Sequence, residues 1–293
     1  MGIAKSPSKL TLPDTDYDTD TVLAYLAKRF VAISVECWRM RMDDGKVHWH
    51  DGTLITPDTL YRAKQRVYYY REVENEPVTP FNESIIFQDE NILVAHKPHF
   101  LPVTPGGRYV VQCLQTRLRE ATGFESLQAL HRLDRVTAGL VLFSVNRETR
   151  SCYHRLFECR QVHKSYLAIA NIDRSEGTLG SLVGKSWEIT NRIEKQNQSF
   201  RMHISPGPAN SHSKIQCLQE VGNKALFELN PITGKTHQLR LHMQALGWSI
   251  LNDRYYPCLQ PNTADDYTRP LQLLAKSLRF VDPVTQQLSN SAT

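Results

Sequence analysis

The chain has 293 residues, a length that accommodates one large domain or a small one joined to a larger one. With 41% hydrophobic and 22% charged residues it has the composition of an ordinary globular protein, and no apolar stretch approaches membrane-spanning length. The net charge of +5 permits a polyanionic partner without requiring one, and the 6 scattered cysteines contain no C-x-x-C pair, which argues against a disulfide framework or zinc knuckle.

Residues 1–18 are polar, acidic and Pro-containing, with no apolar segment of the secretory kind. They are expected to form a flexible arm, and the protein to be cytoplasmic. From Thr19 a helical spacing begins, with Val22, Leu23, Leu26 and Phe30 on one face. Ser34 can cap a second helix carrying Val35, Trp38 and Met42, which Asp43-Asp44-Gly45 stops. Residues 46–55 read as two strands about an Asp51-Gly52 turn, and 66–73 as a third. This pattern defines a self-contained module over 19–78, set off by Pro77 and Pro80.

After that linker, 84–98 reads as a hairpin of two apolar strands about Asp89-Glu90-Asn91. Val110, Cys113, Leu114 and Leu118 lie at helical spacing over 109–121, and Gly123 ends them. Residues 139–145 read as a buried strand. An amphipathic helix follows over 147–161, with Tyr153, Leu156 and Phe157 inward and Asn146 as its cap. Another strand spans 164–170. Residues 174–214 are Gly-, Ser- and Asn-rich and weakly periodic, so short strands and loops are expected there. Residues 225–247 give a strand, a turn and a helix. Strands and helices mix without an even βαβα alternation, which favours α+β.

Most familiar chemistries are poorly supported. There is no G-x-S-x-G, and the thiols lack a recognisable His partner. His48 and His50 share one face of a strand, which reads as the solvent side of a hairpin rather than a metal pair. His237 and His242 are too far round a helix to ligate one ion, and Gly234-Lys235-Thr236 lacks the upstream glycine of a phosphate-binding loop. What remains is "HRLDRVTAGLVLF" at 131–143, with Asp134 between Arg132 and Arg135 before a buried strand. Nearby cations lower a carboxylate pKa by about 1–3 units and hold it ionised. Such a group is a competent nucleophile and a weak general acid. A salt bridge that merely pins the loop uses the same residues, and this stretch alone supports both readings.

The stretch resembles the signature of the RluA-type pseudouridine synthases, H-R-L-D-x-x-T-S-G ahead of a buried strand. Four further stretches match that family in order: "IIFQDENILVAHKPHFLPVTP", "RQVHKSYLAI", "ITGKTHQLRLHMQALGWSILNDRYY" and "LQLLAKSLRF". Together they cover about 84–280. Residues 19–78 more loosely resemble an S4-type RNA-binding module, through "CWRMRMDDGKVHWHDG". Departures from the family pattern are Ala138 for Ser, Lys235 for Arg, Asn252 for the Gly before Asp253, and Leu274 for His.

The resemblance implies an α+β catalytic domain over 84–293, built on a long, mostly antiparallel mixed sheet, preceded by a small S4-like α/β module. It implies a monomeric RNA pseudouridine synthase acting on specific uridines of structured RNA, ribosomal or transfer, without metal or organic cofactor. The alternative is a catalytically idle RNA-binding or RNA-folding protein on the same scaffold. Carried over by position, Asp134 is the nucleophile, attacking C1′ of the ribose or C6 of a flipped uridine. Tyr166 stacks on the uracil, Arg240 pairs with Asp134, and Leu239 walls the pocket. Arg132 fills the gap left by the extruded nucleotide. His131, Arg135, Lys164, Lys235 and His237 join the RNA contacts, as do the helix cations Arg147, Arg150, Arg155 and Arg160.

Overall fold

The computed structural model describes residues 2–5, 7–14, 19–172, 180–197, 199–261 and 263–293. The chain divides into two units, Met1–Pro77 with Gly107–Val111, and Val78–Gly106 with Gln112–Thr293.

The first unit contains β1 (Gly2–Ile3), β2 (Ser8–Thr11), α1 (Val22–Arg29), α2 (Val35–Asp43), β3 (Val47–Trp49), β4 (Arg66–Tyr69) and β5 (Glu72–Val73). Both helices start at hydroxyl caps. The Thr21 and Ser34 side chains accept hydrogen bonds from the N–H groups of Ala24 and Cys37, satisfying donors that lack an intrahelical partner. Val22, Leu26 and Trp38 pack with Val47 and Val67 beneath a three-stranded sheet of order β2-β4-β3.

Three expectations are corrected in this unit. Residues 8–11 are not a loose arm. They pair antiparallel with β4, and Leu10 packs on the core while Lys9 and Thr11 face out. That alternation is too short to stand out among polar neighbours; residues 1, 6 and 15–18 of the expected arm lie outside the described residues. Of the two strands about residues 51–52 only β3 forms, and Leu54 adds an isolated bridge to His48. Residues 107–111, read with the later domain, belong here. Glu76 Oε1 accepts from the N–H groups of Val110 and Val111 at 2.6 and 2.9 Å.

The second unit contains β6 (Ser84–Gln88), β7 (Ile92–Lys97), α3 (Leu114–Thr122), β8 (Gln128–Ala129), β9 (Ala138–Ser144), α4 (Arg150–Glu158), β10 (His163–Asn171), β11 (Ser186–Lys195), β12 (Met202–Ser205), β13 (Ser211–Val221), β14 (Lys224–Pro231), α5 (Gln238–Ala245), β15 (Leu273–Val281) and β16 (Leu288–Ala292). An 11-stranded sheet runs β12-β11-β13-β14-β10-β15-β9-β7-β6, with β16 beside β15 and β8 beside β9. The β15–β9 pair is parallel and the other pairs are antiparallel. The fold is α+β.

Burial follows the pattern of each strand. β7 and β9 are mostly apolar, β7 closing on His96 and Lys97, and are covered on both faces, α4 packing on Ile92, Val94, Leu140 and Leu142, and α3 on Leu93, Ala95, Val141 and Phe143. β10 and β14 alternate, and their inner residues meet α5 through Leu239 and Met243. Of the short strands and loops expected within 174–214, β12 is short at 4 residues, whereas β11 runs 10 residues and β13 runs 11 from Ser211. In β13 the polar Ser211 and Ser213 are buried while Leu218 and Val221 are exposed, which blurs the alternation; 173–179 and 198 lie outside the described residues.

Gly139 fixes where β9 begins. Its φ is +118°, and a Cβ there would stand 2.3 Å from Ala275 O and 2.5 Å from Ala275 N. Only glycine lets β9 come this close to β15 in the register Ala275↔Gly139.

Candidate active site

Asp134 lies in the loop leading from β8 into β9, in a turn closed by the Thr137 N–H donating to the Asp134 carbonyl at 3.0 Å. Neighbouring residues hold the loop still. His131 Nε2 accepts from the Leu142 N–H at 3.1 Å and its ring stacks on Phe157. Burial, helped by the Lys164 charge, pushes His131 down to about 3, so it is a neutral imidazole with its proton on Nδ1. His99 Nδ1 donates to the Val136 carbonyl at 2.7 Å. The fully buried Lys97 Nζ donates to the carbonyls of Pro98, Leu101 and Arg135 at 2.9, 2.7 and 3.1 Å. Burial pushes Lys97 down to about 7 against the pull of the Asp134 charge, with Arg135 adding to the depression.

The opposing side is built on α5. Buried Gln238 secures the turn before the helix: its Oε1 accepts from Thr233 Oγ1 and the Lys235 N–H, while its Nε2 donates to the His212 carbonyl and Ser213 Oγ. His237 takes the N-cap position at φ +56°, so the chain turns sharply just before Arg240. Arg240 is 2% exposed and lies against the Tyr255 ring, 4.6 Å from its centroid. Its Nε and Nη2 grip Asp253 at 2.7 and 2.5 Å, and its Nη1 donates to Asp134 Oδ2 at 3.4 Å. Asp253 Oδ1 also accepts from the N–H groups of Tyr255 and Tyr256. Burial works against the Arg240 charge, but Asp253 and then Asp134 outweigh it and hold the guanidinium above its ordinary pKa. One buried cation therefore serves two carboxylates.

The two acids differ in access. The Asp253 side chain is 1% exposed, whereas that of Asp134 is 28% exposed. His237 Nε2 stands 3.9 Å from Asp134 Oδ2, and its Nδ1 is 2.9 Å from Tyr256 Oη. Burial lowers the His237 pKa, although the Asp134 charge opposes the shift. Tyr166 comes from β10 and is 9% exposed, in one cluster with Leu239 at 7%. Burial, then the Asp134 charge, pushes the Tyr166 phenol above its ordinary range, so it is protonated at neutral pH.

The structure thus brings Asp134, Arg240 and His237 together, with Tyr166 and Leu239 in the apolar cluster beside them. Arg132 is exposed and has no ion pair or hydrogen bond to another described residue. Lys235 is also exposed. Half-buried Lys164 has its pKa lowered by burial, and its Nζ lies 3.8 Å from where a Gly234 Cβ would stand.

Two residues assigned to RNA contact are bonded within the protein. His131 is bonded to β9, and Arg135 forks onto Asp265 at 2.7 and 2.8 Å. Arg150, one of the helix cations, donates to Ser144 Oγ, Gln128 Oε1 and the Ser126 carbonyl. Sequence reasoning missed Lys97, Gln238 and Asp253. Each stands in a matched stretch, and Lys97 had a further signal, a charge closing an otherwise apolar strand. Asn252 accounts for one departure from the family pattern. It sits at φ +63°, a conformation that Asn tolerates better than most residues with a side chain.

An accessible acid backed by a buried guanidinium, beside a tyrosine in an apolar cluster, makes this the candidate active site. Comparison with known proteins agrees. The chain belongs to the RNA pseudouridylate synthase family, whose sequence model, described as RNA pseudouridylate synthase, matches residues 91–245, more than half of the chain. It is an RNA pseudouridine synthase of the RluA family. The dual-specificity RNA pseudouridine synthase RluA of Vibrio parahaemolyticus is 31% identical over 73% of this chain and 83% of its own length. An uncharacterized RNA pseudouridine synthase of Synechocystis is 27% identical over 80% of this chain and 79% of its own. Among solved structures, human RNA pseudouridylate synthase domain containing 1 superposes with a TM-score of 0.57, covering 75% of this chain and 86% of that one at 23% identity, which bears on the fold.

Proposed function

We propose that the enzyme isomerises particular uridines of structured RNA, ribosomal or transfer, using Asp134 as the nucleophile on a flipped-out uridine. The observation that carries this assignment is the contrast between the two acids on Arg240. Asp253 is sealed and bonded on both sides, and Asp134 keeps an open face. Attack at C1′ of the ribose or at C6 of the base both fit a carboxylate held this way. The uracil is detached, turned and rejoined through C5, so the reaction balances without an external reactant.

In this reading Tyr166 and Leu239 bracket the uracil, the tyrosine as a neutral ring. Arg240 pairs with Asp134 and is itself aimed by Asp253. Exposed Arg132 enters the gap left by the extruded base, offsetting part of the few kcal/mol that extrusion costs. His237, Lys164 and Lys235 lie close enough to the site to meet flanking phosphates. The first unit, S4-like in sequence, contributes RNA affinity. The protein works as a cytoplasmic monomer with no organic cofactor.

The test is Asp134→Asn, which keeps the shape and removes the nucleophile. Tritium release from 5-tritiated uridine RNA should vanish while RNA binding falls less than about tenfold. Turnover above a few per cent of wild type would move the chemistry to another group. Tight binding together with inactivity of the wild-type enzyme on every RNA offered would favour the idle RNA-binding alternative.

A further inference from the structure

The small sheet of the first unit has two unlike faces, and the register says which residues share each. Leu10, Val67 and Trp49 align across β2, β4 and β3, and all three belong to or pack on the core. The next row, Lys9, Tyr68 and His48, therefore points the other way, because successive strand residues alternate. Arg66 lies two residues before Tyr68 on that outer face, and Tyr70 two residues after it. The Tyr70 N–H still bonds to the Lys46 carbonyl, so the ladder continues through it.

The outer face is thus aromatic and cationic. The His48 ring stacks on Tyr68 with centroids 5.5 Å apart and planes 12° off parallel, and the Tyr70 ring lies 6.2 Å from it, tilted by 42°. His50 Nδ1 is 2.9 Å from Tyr68 Oη, which fixes the phenol in place. Lys9 and Arg66 are exposed, and His48, Tyr68 and Tyr70 are half-buried. Asp51, the acid at the tip of the same hairpin, is taken up by its own turn, accepting from the Thr53 N–H. Solubility alone does not call for this arrangement, since a solvent face is served as well by lysine and glutamate. Half-buried rings held in register on an outer sheet face, with exposed cations beside them, match a ligand with flat faces and a charged backbone.

We propose that the outer face of the β2-β4-β3 sheet is a stacking platform for single-stranded RNA. Unpaired bases would lie on Tyr68, His48 and Tyr70, and the phosphates would run past Lys9 and Arg66. Stacking is available to every base, so the platform favours unpaired over paired RNA rather than one sequence over another. This rests on the reading that the substrate is RNA, and it assigns to this face a preference for unpaired segments flanking the target.

The experiment uses the full chain and two fluorescent probes, dodecauridylate and an RNA duplex of twelve base pairs, with binding followed by anisotropy. Tyr68→Ala should weaken dodecauridylate binding roughly 5- to 150-fold, which is the loss of about 1–3 kcal/mol for one stacked base. His48→Ala should act in the same direction, and duplex binding should change less than about twofold in both. Tyr68→Phe keeps the ring and should bind nearly as wild type does. Lys9→Ala and Arg66→Ala should each reduce the salt slope by about 0.7, one phosphate contact on a single strand.

Melting curves check that the variants are folded, and His48→Ala stands in should Tyr68→Ala fail to fold. The proposal is overturned if wild type does not bind dodecauridylate, if the ring deletions leave that binding intact, or if they weaken duplex and single strand alike. Tritium release separates this from the catalytic reading. Asp134→Asn should bind dodecauridylate as wild type does, so an inactive enzyme with an intact platform refutes only the activity. An active enzyme indifferent to Tyr68→Ala refutes only the platform.

Discussion

Replacing Arg240 by methionine keeps bulk and removes the charge shared by two acids, and the two should respond differently. At the 3.4 Å separation from Asp134, a unit pair is worth about 1 kcal/mol in water and about 5 kcal/mol at an effective dielectric near 20. With 28% of its side chain exposed, Asp134 falls between these limits. Asp253 has no such relief. It is 1% exposed, and stranding one partner of a buried pair typically costs about 3–5 kcal/mol. In a chain of this size each kcal/mol moves Tm by roughly 2–4 °C, so the variant should melt roughly 6–20 °C lower at neutral pH.

The pH trends then run in opposite directions. Stranded Asp253 has its folded-state pKa raised above the unfolded value, so the folded chain binds more protons and stability falls as pH rises from the carboxylate range toward neutrality. Asp134, also raised, must ionise to react, so residual activity should climb over the same range. Differential scanning fluorimetry from pH 5 to 8.5 and single-turnover tritium release would record both. Arg240→Lys should recover part of the melting temperature, since it restores the charge without the fork that reaches both acids. A near-normal Tm with a flat activity profile in Arg240→Met would refute the shared-cation arrangement.

Gly139→Ala places a methyl 2.3 Å from Ala275 O at φ +118°, so a loss of about 3 kcal/mol or more is expected, seen as a Tm lower by roughly 6 °C or more. Wild-type stability measured against Lys97→Met should rise between pH 7 and 10.5. Across that window the unfolded lysine still holds a proton that the buried one has released, so unfolding takes one up; a difference that does not vary with pH would contradict the depressed ammonium. Activity should survive exhaustive chelation when assayed on a short RNA that needs no magnesium to fold. Removing residues 1–77 frees the Val110 and Val111 N–H groups from Glu76 and should open a protease site near 107–111. Weaker RNA binding should follow, with little change in the saturated single-turnover rate.

Local features of this fold were legible from sequence because their causes are local. The hydroxyls of Thr21 and Ser34 bond three residues ahead, and Gly123 ends α3 in the left-handed conformation at φ +73°. β2 was missed because its one core residue, Leu10, is flanked by polar positions. The length of β13 was missed because polar Ser211 and Ser213 take buried positions while Leu218 and Val221 are exposed. β2 is stabilised by β4, far along the chain, so its own stretch could not reveal it, whereas β13 turns directly into β14, pairing Val221 with Lys224.

The site shows the same limit. The two arginines flanking Asp134 suggested a local clamp, yet Arg132 faces solvent and Arg135 grips Asp265, 130 positions away. The guanidinium at Asp134 comes from 106 positions away, and periodicity does not reveal it; only the family resemblance placed Arg240 there. Even that resemblance left its larger partner unassigned. Arg240 directs two of its nitrogens to Asp253 and one to Asp134. The geometry separates the tasks of the two acids. Asp253 holds the cation in a closed site, and Asp134 keeps a face free because its interaction with that cation is long and single. If Asp134 is the nucleophile, as proposed, a shorter, bidentate grip would occupy the oxygens it needs for attack. On that proposal, the long 3.4 Å contact, beside the 2.5 Å Asp253 pair, leaves Asp134 free to react.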